Sequence, residues 1–313
     1  MKTPVHSSIK TQGSQREGAA LLLVLWAVGV ICIAVVGLTA MTQSAIQDET
    51  ELQQSDGARY LAESGLAILS CPGIKNGDPV LTQTLPGGGH FTAHAVGENG
   101  RLQINAVLKH QNRTVLQQLF LGWGLNSVEA DTVIDCMLDW VDPLAGRRLN
   151  GAGPNDYVAA GLAYGPTGKE FISVEQMAQV LHFDLVTRRK SDWRNFFTVW
   201  TDGSLDLNSA SADMVAAATG ASHSKAVEMV TYLSGPDGVP DTGDDIRFAN
   251  LEDARQFLGI SPEVWGALAT PLGIESPVTR MLSIGQSGPI QASLSMVVNR
   301  ATTPFTLLEQ KQL

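Results

Sequence analysis

The feature that most constrains this chain is an uncharged run of 23 residues, from Ala19 to Met41, rich in Leu, Val, Ile and Ala. As a helix rising about 1.5 Å per residue, this run would be roughly 35 Å long, which exceeds the roughly 30 Å hydrocarbon core of a bilayer. The residues before it carry three basic side chains against one acid, Glu17. This charge bias predicts a single membrane span over residues 19–41, with a cytoplasmic N-terminus and the bulk of the chain outside.

The apolar run is longer than the core of an ordinary secretory signal, and the natural break, Gly18-Ala19, precedes it. Beyond the run, Thr42 to Leu69 is polar, with apolar residues recurring at helical spacing, which predicts that one long helix continues to residue 70. A basic leader, a Gly at the break and such a helix resemble the type IV pilin class. The resemblance implies that a prepilin peptidase removes residues 1–18 by cutting between Gly18 and Ala19, and that the new N-terminus is methylated.

The fifth residue after that cut is Leu23, where the pilin class normally carries a glutamate that pairs with the amine of a neighbouring subunit. An unpaired carboxylate in hydrocarbon is costly, so most subunits need that neighbour. A subunit at the tip of a fibre has none above it, and Leu23 therefore predicts a tip position. The alternative is a plain membrane anchor in which Gly18 occurs by chance.

The charge of the chain limits its partners. The formal net charge is −10, and removal of residues 1–18 would leave 18 basic against 30 acidic residues. Such an acidic exterior argues against a nucleic-acid backbone as the partner and suits a periplasmic surface or cation binding. Cys71 and Cys136 are equally compatible with a disulfide in an oxidising compartment and with two separate thiols.

The rest of the chain reads as strands at both ends of a long helical region, a pattern that predicts an α+β fold. His90–Val96 and Arg101–Leu108 alternate polar and apolar residues around Asn99-Gly100, which predicts a β-hairpin. Strands return after Pro277. Between them the pattern is helical, and the predicted helices are Thr114–Leu121, Glu129–Val141, Ser173–Leu181, Ser211–Thr219, Lys225–Leu233, Leu251–Leu258 and Pro262–Leu268. The helical part is therefore predicted to be inserted into a single domain.

Three segments carry a more specific resemblance: CMLDWVDPLAGRRLNGAGPNDY from Cys136, DLNSASADMVAAAT from Asp206, and GPDGVPDTGDDI from Gly235. In this order behind the membrane helix, they resemble GspK, the large minor pseudopilin family of type II secretion. The resemblance implies a pilin-like scaffold of a long N-terminal helix and a small antiparallel sheet, with a large helical domain of SAM or helix-hairpin-helix type inserted between strands. The implied division is 1–18 leader, 19–70 helix, 71–125 first pilin-like part, 126–275 helical insert and 276–313 second pilin-like part.

The family also implies a function and partners. Members sit in the inner membrane at the tip of the pseudopilus and nucleate its assembly, which supports protein export. Implied partners are the minor pseudopilins GspI, GspJ and GspH, the major pseudopilin GspG, the prepilin peptidase, and either the secretin channel or secreted cargo. A runner-up function is a membrane-tethered helix-hairpin-helix protein for DNA uptake, because Asp206–Leu233 has that pattern. Lys225 is its one basic residue, so protein docking is the better reading.

The loop Gly235–Ile246 is the candidate metal site, since four carboxylates are interrupted by Gly and Pro: Asp237, Asp241, Asp244 and Asp245. Hard oxygen ligands on a tight loop suit Ca²⁺, although the spacing is not that of an EF-hand, and a solvated acidic turn is the alternative. Family members bind calcium in this domain, which favours a structural Ca²⁺ site. Asp135, Asp139 and Asp142 are predicted to form a solvated helix face and a helix end rather than a carboxylate pair for catalysis. No catalytic motif is found, and the chain is predicted not to be an enzyme.

Overall fold

The structure is a computed structural model that describes residues 14–302 and 304–313. Helix α1 spans Ser14–Leu69. The chain divides into two compact units, 1–56 and 57–313, which are described separately. In the first unit, Leu21–Gln43 is long and apolar enough to cross a membrane, with a mean hydropathy of 3.0 and none of its side chains buried.

The second unit contains a five-stranded antiparallel sheet in the order β1-β2-β7-β8-β9. Its strands are β1 Thr82–Thr84, β2 His90–Gly97, β7 Val278–Ser287, β8 Ile290–Asn299 and β9 Thr306–Gln312. Two short parallel ladders lie outside it, formed by β3 Leu102–Gln103 with β4 Phe197–Thr198 and by β5 Leu205–Asp206 with β6 Leu272–Gly273. The strands predicted after Pro277 are confirmed.

The C-terminal part of α1 packs on one face of this sheet through small residues. Ala62, Leu66 and Leu69 are buried against Met281 and Leu294. The backbones approach so closely that a Cβ atom on Gly285 would lie 2.1 Å from the carbonyl oxygen of Ala58. Successive residues of a strand point to opposite faces, so Arg280, next to Met281, points away from α1.

The segment between β2 and β7 is mostly helical. Its helices are α2 Ile104–Lys109, α3 Arg113–Gly122, α4 Ser127–Val141, α5 Pro154–Ala159, α6 Asp184–Arg189, α7 Ala212–Thr219, α8 His223–Leu233, α9 Leu251–Leu258 and α10 Pro262–Gly266. The β3–β4 ladder closes a first lobe, residues 104–196, and the β5–β6 ladder closes a second lobe, residues 207–271. One continuous hydrophobic core runs through both lobes.

Local sequence explains where several of these helices begin. Asn126 accepts a hydrogen bond from the Glu129 amide, and the Glu129 side chain accepts one from the Asn126 amide, which forms a capping box at the start of α4. Ser222 and Ser261 cap α8 and α10, and Pro262 stands at the first helical turn as predicted. The predicted inserted-helix fold is confirmed.

The predicted hairpin around Asn99-Gly100 is wrong. Arg101–Leu108 contains only the two-residue strand β3 and then turns into α2, while β2 pairs with β7 on one side and β1 on the other. Asn99 and Gly100 serve the junction with the insert instead. The Asn99 side chain donates to Asp202 and to the carbonyl of Ser204, and a Cβ on Gly100 would lie 2.2 Å from the Ser209 carbonyl oxygen. Gly100 is therefore explained by a close backbone approach rather than by a turn.

Candidate functional sites in the membrane helix and the acidic loop

The predicted membrane helix carries no charged side chain over Leu21–Gln43 and is apolar up to Leu38. Leu23 lies in this segment and is 69% exposed. Its apolar neighbours Leu22 and Val24 are exposed to a similar degree. Gly18 and Ala19, the predicted cleavage positions, lie within α1, but their side chains are outside the described residues, as is the start of the predicted leader.

The acidic loop connects α8 to α9 and is closed at its base by a hydrogen bond of 2.8 Å from the Ile246 amide to the Leu233 carbonyl. Its four predicted ligands form two pairs. In the first pair, the Thr242 hydroxyl lies 3.1 Å from Asp237 Oδ2 and 2.6 Å from Asp244 Oδ1. Asp244 Oδ2 also accepts from the Asp237 amide at 3.0 Å. A single hydroxyl proton cannot be donated to both carboxylates at once, so this pair has spare acceptor capacity.

The second pair, Asp241 and Asp245, is more buried than the first. Asp245 Oδ2 accepts a hydrogen bond of 2.9 Å from the Asp241 amide, and Asp241 holds a positive φ of 65°. Burial, followed by the nearby charge of Asp245, raises the pKa of Asp241 to about 6. Asp245 Oδ1 is buried and has no hydrogen-bond partner among the described residues.

These observations give the loop the chemistry of a hard-cation site without a preformed cluster. Among the described residues, the buried Oδ1 of Asp245 has no hydrogen-bond donor, and the ionised form of Asp241 is destabilised by burial and by Asp245. Both features favour a cation nearby. However, within residues 14–302 and 304–313 no group of three or more His, Cys, Asp or Glu side chains is close enough to hold one metal ion. A bound cation would therefore use one or both carboxylate pairs together with backbone carbonyls.

A buried ion-pair network, which the sequence analysis missed, joins the sheet to the insert. Glu98, fully buried after β2, accepts hydrogen bonds of 2.7 and 2.8 Å from the Arg280 guanidinium and one of 2.7 Å from the Thr198 hydroxyl. Arg280 also donates to Ser295 and to Glu309. Burial opposes the charged form of Arg280, yet the bonds to Glu98 and the two carboxylate charges raise its pKa. No local spacing relates Glu98 to Arg280, because 182 positions separate them.

The predicted solvated face on α4 is wrong for two of its three carboxylates. Asp135 and Asp139 are buried. Arg113 donates to Asp135 at 2.5 Å and Arg148 donates to Asp139 at 2.7 Å. Each carboxylate also accepts backbone amide hydrogen bonds from the loop 148–150, so both hold that loop against α4. Asp142 ends the helix as predicted.

The helix-hairpin-helix pattern does form, with α7, the left-handed Gly220 and α8. Its basic residue Lys225 pairs with Glu228 at 2.9 Å and lies over the Phe257 ring. Both interactions hold this cation against its own domain. The cysteines are free: Cys71 is exposed and Cys136 is buried. Burial, with smaller contributions from Asp139 and Asp135, raises the pKa of the Cys136 thiol to about 12.

Comparisons with known proteins agree with this architecture. A family model described as protein K of the type II secretion system (T2SS) matches residues 100–191, which cover most of the first lobe. No curated protein matches the chain. Among solved structures, a chain of the GspK-GspI-GspJ complex from the enterotoxigenic Escherichia coli type 2 secretion system is similar in fold. The TM-score is 0.57 at 14% sequence identity, over 87% of this chain and 99% of that chain.

A long apolar N-terminal helix, an antiparallel sheet against its C-terminal part and a helical insert between two sheet strands define a pilin-like α+β protein. In its first lobe the chain is similar to protein K of the type II secretion system, and its fold is similar to that of a chain of the GspK-GspI-GspJ complex.

Proposed function

We propose that this chain is the tip subunit of a type II secretion pseudopilus and that it nucleates assembly of the fibre. The observation that carries the proposal is the insert between β2 and β7, which places two helical lobes on a scaffold otherwise made of one helix and one sheet. A regular fibre stacks similar subunits closely along their long helices, and a subunit with so large an insert fits best where nothing follows it.

The chain is further proposed to be anchored in the inner membrane by residues 19–41, with its N-terminus in the cytoplasm and residues 42–313 in the periplasm. The exposed apolar surface of Leu21–Gln43 and the basic residues before it support this orientation. Cleavage between Gly18 and Ala19 by a prepilin peptidase would leave Leu23 as the fifth residue. GspI and GspJ are proposed as partners because a structure of similar fold contains a chain in complex with both. GspH, GspG and either the secretin or cargo are proposed on the family resemblance alone.

Leu23→Glu tests the tip position. At the tip no neighbouring amine is available, so the new carboxylate would lie unpaired in hydrocarbon and is expected to reduce secretion of an exported protein into the medium. Leu25→Glu, two positions further along the same exposed apolar helix, is the matched control. The tip proposal expects the two variants to lose secretion about equally.

A Leu23→Glu variant that secretes normally while Leu25→Glu fails would contradict the proposal. That result would mean that a neighbouring subunit supplies the partner amine and that the chain lies within the fibre. Intact mass of each variant should first establish that the chain begins at Ala19, so that a processing defect is not taken for an assembly defect.

We also propose that the loop Gly235–Ile246 binds a structural Ca²⁺ through Asp237, Asp241, Asp244 and Asp245. The support is the unpartnered Oδ1 of Asp245 and the unfavourable ionisation of Asp241 beside it. When bound, the ion would neutralise the repulsion between the carboxylates. It would also fix the connection between α8 and α9.

Calcium is accordingly expected to raise the melting temperature of the full chain in detergent, relative to the same protein in EGTA. An ion present at 100 times its dissociation constant contributes about 2.7 kcal/mol to the stability of the folded state. The double variant Asp241→Asn with Asp245→Asn should lose this shift, whereas Asp184→Asn, at an exposed carboxylate on α6, should keep it. Equal melting temperatures of the wild type in calcium and in EGTA would rule out a structural calcium ion.

A further inference from the structure

A cavity of 220 Å³ lies between the insert-facing side of the sheet and the first lobe. Its charged lining consists of Arg101, Arg194, Arg280, Lys311, Glu175 and Glu309. Val174, Trp200, Leu282 and Leu313 supply an apolar wall. The cavity belongs neither to the acidic loop nor to the membrane helix.

The charges around this cavity do not balance. Four cations face Glu175, Glu309 and the buried Glu98 behind them. Two of these carboxylates are already engaged by Arg280, and Lys311 pairs with Glu175 at 3.2 Å. Among these side chains, the cations therefore outnumber the carboxylates by one.

Of the buried and partly buried cations around this cavity, Arg101 is the least well paired. Its side chain is 19% exposed and, among the described residues, donates no hydrogen bond. Its ion pair there is a loose one of 3.8 Å to Glu98. Burial lowers the pKa of Arg101; the attraction of Glu98 opposes this shift, and the like charge of Arg280 adds to it. A partly desolvated cation is stabilised by a further carboxylate beside it, so an acidic ligand in this cavity would be favourable.

Arg194 faces the same cavity from the insert. Its guanidinium lies 4.6 Å from the Trp193 ring centroid, and within the described part of the chain it forms no ion pair. Arginine presents a planar set of N–H donors that matches a carboxylate, so two guanidinium groups on one cavity select a carboxylate ligand.

The position of the cavity indicates a polypeptide as the source of that carboxylate. Lys311 and Leu313 lie at the end of β9, which is the last strand in the sheet order of the described residues. An edge strand offers unpaired backbone groups to an extended segment, and pockets beside it receive alternate side chains of that segment. We propose that an extended acidic segment of a partner protein docks beside β9 and places one Glu or Asp carboxylate between Arg101 and Arg194.

This inference goes beyond the proposed tip function and does not depend on it, because the cavity belongs to the sheet and the insert. It can be tested by titrating the full chain in detergent with two synthetic peptides, Thr-Val-Glu-Val-Thr and Thr-Val-Gln-Val-Thr. The glutamate peptide is expected to bind at least about tenfold more tightly, which corresponds to about 1.4 kcal/mol for the charge-assisted hydrogen bonds. Arg194→Gln should remove most of that preference.

Arg59→Gln is the matched control, because this substitution removes the same charge from an exposed position on α1. Equal binding of both peptides, or an equal loss of preference in Arg59→Gln, would overturn the proposal. Acetate that competes at the same concentration as the glutamate peptide would show that a free carboxylate is enough, and would overturn the partner segment.

Arg101→Met gives an independent measurement. Because the guanidinium is partly desolvated and only loosely paired without its ligand, the apolar replacement is expected to keep or raise the melting temperature of the free chain while it abolishes the preference for the glutamate peptide. A clear fall in melting temperature would show that Arg101 is held by the chain itself, which would contradict the proposal.

Discussion

Replacing Glu98 with alanine is expected to lower the free energy of unfolding of the unit 57–313 by about 3–5 kcal/mol. The substitution removes the acceptor of two guanidinium hydrogen bonds and of the Thr198 hydroxyl. Arg280, 5% exposed on the sheet, would then be buried with Glu309 as its remaining close carboxylate. Removal of one partner of a buried pair costs more than the pair itself contributes. Denaturant unfolding of the full chain in detergent provides the measurement.

The ion pair between Arg59 and Glu63 provides the control for that experiment. It joins exposed side chains one helical turn apart, so Glu63→Ala is expected to change stability by no more than about 0.5 kcal/mol. Replacing both partners, with Glu98→Leu and Arg280→Met, should recover much of the loss because the buried guanidinium is removed together with its main carboxylate. If Glu98→Ala costs no more than Glu63→Ala, the network does not hold the insert on the sheet.

Gly285→Ala is the second substitution with a large expected effect, a loss of about 2–3 kcal/mol, toward the upper end of the usual range for overpacking. The added Cβ would lie 2.1 Å from the Ala58 carbonyl oxygen and 2.4 Å from the Ala62 amide nitrogen. Both atoms belong to the backbone of α1, so no side-chain rotation relieves the clash and the helix must move off the sheet. The same unfolding measurement applies.

Gly266→Ala, at a glycine of α10, is expected not to lower the stability. No atom lies within 4 Å of the added Cβ there, and alanine is favoured over glycine in a helix by up to about 1 kcal/mol. The pair of variants separates close packing from a general effect of glycine replacement. A Gly285→Ala protein as stable as Gly266→Ala would mean that α1 does not pack on β7 as described.

Local signals predicted most of the helices, because caps and apolar spacing act over a few residues. Ser261-Pro262 is an example, since the Ser261 side chain accepts a hydrogen bond from the Val264 amide and fixes the start of α10. The membrane helix is similarly defined by composition alone. The pairing of β2 with β7 could not be predicted in this way, because the partner of a strand is selected by tertiary packing and the nearest alternating segment in sequence was the wrong partner.

The candidate sites show the same limit. The sequence indicated which loop carries the carboxylates, but not that they divide into two pairs through Thr242 and the Asp241 amide. It likewise suggested exposure for Asp135 and Asp139, since acidic residues at helical spacing are usually solvated. Their burial depends on Arg113 and Arg148, whose approach is set by the packing of α3 and the loop after α4.

The placement of the insert also has a consequence for the order in which the chain folds. Glu98 and Arg280 are 182 positions apart, so closing the sheet around an unfolded insert carries a loop-closure entropy that grows with the logarithm of that length. Once the two lobes have formed, the β3–β4 and β5–β6 ladders shorten the effective loop. We therefore expect the insert to fold before β2 meets β7. The three strands that complete the sheet are synthesised after the insert, so until they arrive β2 keeps an open edge on the side where β7 will pair.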